Sequence, residues 1–63
     1  YLHNMTLTEL STRTKALTIK YPVLKQELIE LYMLACDEVE EGGSETHECE
    51  LAIADMNELI EEL

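Results

Sequence analysis

The chain has no tryptophan and no phenylalanine, one proline, two glycines, two cysteines and four basic side chains. Each shortage excludes something. Without large aromatics other than three tyrosines, a core must be filled by Leu, Ile, Met and Tyr. With two glycines, side by side at Gly42 and Gly43, there is no glycine-rich phosphate cradle: Gly42-Gly43-Ser44 is followed by no lysine and preceded by no strand pattern. With two cysteines there is no repeated Cys-x-x-Cys framework of a structural zinc site. No apolar run reaches the roughly 20 residues of a membrane span, and the first residues lack the basic and apolar regions of a secretory signal. A cytoplasmic protein is therefore the expectation.

The shortage of bases is the strongest of these. Arg13, Lys15, Lys20 and Lys25 stand against fourteen acids, for a net charge of −10, and residues 26 to 63 contain neither Lys nor Arg. Such a surface repels phosphate backbones and anionic lipid, and attracts basic partners across a Debye length of about 8 to 10 Å. Direct contact with nucleic acid or membrane is thereby disfavoured, and a protein partner is expected, with basic proteins among the candidates.

What is present is a helical code. Hydrophobic residues make up 46% of the chain, enough for a core despite the charge. Thr6-Leu7-Thr8-Glu9 has the form of a capping box, after which Leu7, Leu10, Thr14, Leu17 and Tyr21 recur at helical spacing. This predicts a short helix over 7–20. Tyr21-Pro22 closes it and opens the next, because the residue before proline is driven out of the helical region while proline suits a first helical position. Leu24, Leu28, Leu31, Tyr32, Ala35 and Val39, with Cys36 at the edge, then define one face of a helix over 22–41. The glycine pair stops it, Ser44 is a good N-cap, and Cys49, Ala52, Ile53, Met56, Leu59, Ile60 and Leu63 alternate by three and four along a third helix over 44–63. A connection this short makes the last two antiparallel. The expected fold is all-α, one domain of three helices. Met5 is a candidate start, with Tyr1 to Asn4 the remainder of a longer reading frame, and residues 1–5 are expected to be disordered.

Two surfaces are candidates for binding. Asp37, Glu38, Glu40, Glu41, Glu45, Glu48 and Glu50 crowd the hairpin tip, and Glu38, Glu40 and Glu41 oppose the dipole at the end of the second helix. Ile29, Met33, Leu34 and Leu51 lie off the main apolar faces and predict a strip for a partner or for a second copy, since 63 residues bury a small core and a dimer would enlarge it.

Cys36 and Cys49 are symmetric about the turn and could form a disulfide across it, though two reduced thiols in the seam fit the absence of a secretory signal better. His47 with these cysteines and Glu45 or Glu48 has no zinc-ligand spacing, and the tip lacks the ligand order of a calcium loop. No Ser-His-Asp or Cys-His-Asn set can be assembled. A non-catalytic interaction module or regulator without metal or cofactor is the leading expectation. The alternatives are an inhibitor whose carboxylates imitate phosphates, and a purely structural homo-oligomer.

Overall fold

The computed structural model describes residues 4–63, which form helices α1 (Leu7–Lys20), α2 (Lys25–Glu40) and α3 (Glu45–Glu61), with a single 3₁₀ turn at Pro22–Leu24 and no strand among the described residues. The second helical run thus begins as a 3₁₀ turn on Pro22 and becomes α-helical at Lys25. Tyr1, Leu2 and His3 lie outside the described residues.

Local signals set the boundaries. The Thr6 hydroxyl accepts from the Glu9 N–H at 3.2 Å, and the Ser44 hydroxyl accepts from the His47 N–H at 3.3 Å, so the N-termini of α1 and α3 are capped by side chains. At the end of α2, Gly42 has φ +103°, and the Gly42 and Gly43 N–H groups donate to the Val39 and Glu38 carbonyls at 3.1 and 2.9 Å. This is the paired bond pattern of a Schellman closure. A side chain at either position would damage it. A Cβ on Gly43 would stand 2.7 Å from the Glu38 carbonyl oxygen.

α2 and α3 form the antiparallel pair, and α1 packs chiefly on α2 and less on α3. The molecule is only 18 Å across its thinnest direction, about two helix diameters, so α1 is one layer and the α2–α3 pair the other. Between the layers lie Leu10, Leu28, Cys49 and Met56, fully buried, together with Met5, Thr14, Ala35 and Ala52. Thr14 is the polar member. Its hydroxyl donates to the Leu10 carbonyl at 2.7 Å, beside the Met56 Sδ at 3.8 Å, so the group is satisfied where it is buried.

Two expectations about the chain ends are corrected. Met5, expected to be disordered, is 7% exposed and belongs to the core. It precedes the N-cap Thr6, and Leu10, in the same cluster, is the fourth helical residue. These are the two positions of a hydrophobic staple, which fixes the chain's entry into a helix. Leu63, expected in the α3 seam, is 66% exposed, because α3 ends at Glu61 and the periodic contact stops with half-buried Ile60.

Candidate protein-binding face

Three helices in two layers leave three grooves, and their chemistry differs. The α1–α2 groove is lined by Lys15, Lys25, Ile29 and Tyr32 among others, and the α1–α3 groove by Arg13, Leu17 and Ile53. No carboxylate lines either one. The α2–α3 groove, to which α1 contributes nothing, is the reverse. Leu31, Leu34, Ala35, Leu51, Ala52 and Leu59 form its floor, and Glu27, Glu30, Glu38, Glu48, Asp55, Glu58 and Glu62 form its walls.

This groove is one trough in two adjoining parts of about 360 and 210 Å³, which share Leu31, Leu34 and Asp55. It follows α2 from Glu27 to Glu38, a length of about 16 Å at 1.5 Å per residue. Helical spacing builds both walls. On α2, Glu27, Leu31, Leu34 and Glu38 succeed one another by three or four residues; on α3, Glu48, Leu51, Asp55 and Glu58 do the same, with Glu62 just past its end. The small Ala35 and Ala52, each 5% exposed, sit where large side chains would fill the trough. Leu34 and Leu51 are 56% and 48% exposed in it. The trough is open along its length, a shape suited to an elongated partner rather than to an enclosed small molecule.

The expected sites are redistributed by the fold. The apolar strip is not one strip: Leu34 and Leu51 face each other across the α2–α3 trough, Ile29 lines the α1–α2 groove, and Met33, 58% exposed, lines none of the three. The acidic tip also divides. Glu38 and Glu48 belong to the trough, whereas Asp37, Glu40, Glu41 and Glu50 are exposed around the turn and line no groove. Glu45 has a structural role: its Oε2 accepts from the Leu7 N–H at 2.9 Å, so a residue at the start of α3 caps the start of α1.

The five wall residues outside the tip, Glu27, Glu30, Asp55, Glu58 and Glu62, are spread through the sequence, and only their helical spacing gives them away. A contiguous run of acids draws attention first, yet the longer acidic surface is the one that runs along two helix faces.

The cysteines are free thiols, Cys49 buried and Cys36 half-buried, and they lie away from the trough. Burial, reinforced by the negative charge of Glu45, pushes the Cys49 thiol pKa up. A hydrogen bond with Cys36, followed by burial, raises that of the Tyr32 hydroxyl, against a lowering contribution from Ser11. Such shifts keep both groups protonated and unreactive. Among the described residues no three His, Cys, Asp or Glu side chains converge as a metal site, and no helix is long and apolar enough to cross a membrane.

Comparison with protein-family models, with curated proteins and with solved structures matches none of them.

Proposed function

We propose that this protein is a non-catalytic interaction module that binds another protein through the α2–α3 face. The observation that carries this reading is the pair Leu34 and Leu51, about half exposed in a trough whose floor is otherwise leucine and alanine. An apolar trough bordered on both sides by charge is the anatomy of a protein contact, with a core that sheds water inside a polar rim. The site of action is the cytoplasm, where a reducing environment preserves thiols such as Cys36 and Cys49.

The test is affinity capture with the protein and with its Leu34→Ser/Leu51→Ser variant in parallel. Both side chains are exposed enough for the variant to keep its fold. A protein retained by the parent and released by the variant supports the reading; equal retention by both overturns it.

Self-association is the second reading, and a separate observation favours it. Ile19 and Val23, at the junction of α1 and α2, are 81% and 73% exposed. A pair of copies joined there would show a solution mass that rises with concentration and further with salt, as screening relieves repulsion between two highly acidic molecules. The phosphate-imitating inhibitor fits less well, because the carboxylates of the trough flank an apolar floor instead of forming an unbroken charged surface.

A further inference from the structure

Resting on the interaction reading above, we propose that the α2–α3 trough receives an amphipathic helix of a partner protein, its apolar stripe on Leu31, Leu34, Leu51 and Leu59 and its Lys or Arg residues along both borders. The dimensions suit a helix. A floor about 16 Å long accommodates three turns, so a ligand with apolar residues at i, i+3 or i+4, and i+7 presents one to each section of the floor. Ala35 and Ala52 keep the floor low in the half of the trough nearer the turn, which leaves room there for a large side chain of the ligand.

Charge defines the borders of that helix. The α2 wall offers Glu27, Glu30 and Glu38, the α3 wall Glu48, Asp55 and Glu58 with Glu62 beyond, and neither contains a base. A helix with a narrow apolar stripe and basic residues on each side meets an opposite charge on both walls as it buries its stripe. An acidic helix would be repelled by both.

A second copy of this chain makes a poor occupant. Its α2 beyond Lys25 and the whole of its α3 carry acids and neither Lys nor Arg. Its α1 does carry Arg13, Lys15 and Lys20, but the packed face of α1, with Leu10 and Thr14, is spent on its own core, which leaves Ile19 as the one large exposed apolar residue of that helix and no stripe to bury. The complementary helix therefore comes from a different protein.

The proposal is tested with a Leu/Lys peptide of about 14 residues, leucines at helical spacing, against a scrambled peptide of the same composition and against the Leu/Glu counterpart. Binding is read by isothermal titration and located by amide chemical shifts of the labelled protein. The expected result is binding of the patterned Leu/Lys peptide at least about tenfold tighter than the scrambled one, and no binding of the Leu/Glu peptide. Shifts should concentrate on residues 27–38 and 48–62. Leu34→Ser/Leu51→Ser should weaken the patterned peptide by about tenfold or more, and Glu30→Gln/Glu58→Gln should weaken it and flatten its salt dependence.

Equal affinity for patterned and scrambled peptides, or shifts confined to the turn at 40–45, would overturn the proposal by reducing the contact to net charge. Trough signals that move with protein concentration alone would overturn it in favour of a second copy. None of those results touches the capture experiment. A partner lost on Leu34→Ser/Leu51→Ser, together with failure of the basic peptide, would leave the interaction module standing and remove only the basic helix.

Discussion

Glu45 shows how a single carboxylate changes meaning between a sequence and a fold. In the chain it is one acid in a crowded run; in space it holds the first N–H of α1. Glu45→Ala should accordingly lower stability by about 0.5–1 kcal/mol, the modest value expected of an exposed charge-assisted cap, with faster amide exchange at Leu7. Chemical denaturation measures the first effect and hydrogen exchange the second. An exposed acid with no structural role would give neither.

Tyr32 and Cys49 make a prediction of opposite pH character to that of a salt-bridged carboxylate. Both have folded-state pKa values above their ordinary 10.0 and 9.0, so the native state holds these protons more tightly than the unfolded chain does. Their stabilising effect is complete below about pH 9 and is lost as pH rises through the raised values. Denaturation midpoints should fall on the alkaline side, and Cys49→Ala should blunt that fall even though it leaves a small cavity in the core.

At the scale of helices, the turn between α2 and α3 depends on Gly42 and Gly43 for different reasons. Gly42 has open space around it and a left-handed backbone, so Gly42→Ala costs about 1–2 kcal/mol through conformation alone, and Gly42→Asn less. Gly43→Ala destabilises by collision with the Glu38 carbonyl, which also accepts the Gly43 N–H. Urea midpoints rank the three variants. This turn was legible in the chain because a glycine pair meets both demands, and the apolar faces of α1 and α2 were legible because their spacing is regular. Which side of each helix a neighbour would leave bare was not. Ile29 and Leu34 are both off the main face of α2, yet the position of α1 sends one to a basic groove and the other to the acidic trough. That division depends on where a third helix packs, and no periodicity within α2 encodes it. Met5 is legible as the staple partner of Leu10 only once Thr6 is fixed as the N-cap between them, because nothing else in the first residues is periodic.

Over the whole molecule, a charge of −10 on 63 residues works against compactness. Screening should relieve it, so the melting temperature is expected to rise with added sodium chloride. Glu40→Gln/Glu41→Gln should raise stability at low salt by about 0.3–1 kcal/mol per site, and the melting temperature with it, because both acids lie at the end of α2 where the helix dipole is unfavourable to them, and both lie outside the trough. A melting temperature that ignores both salt and substitution would mean that local pairing already offsets the repulsion.

The bond from Leu7 to Glu45 also has a meaning in time. The two residues are 38 positions apart, so α1 is synthesised with its first turn incomplete, and for roughly 2 to 8 s of synthesis the carboxylate that will finish it does not yet exist. During that interval the start of α1 relies on local groups such as the Thr6 hydroxyl and the staple pair Met5 and Leu10. The helix made first is thus completed only after α2, which is made later, and the order in which the chain is written is not the order in which it is secured.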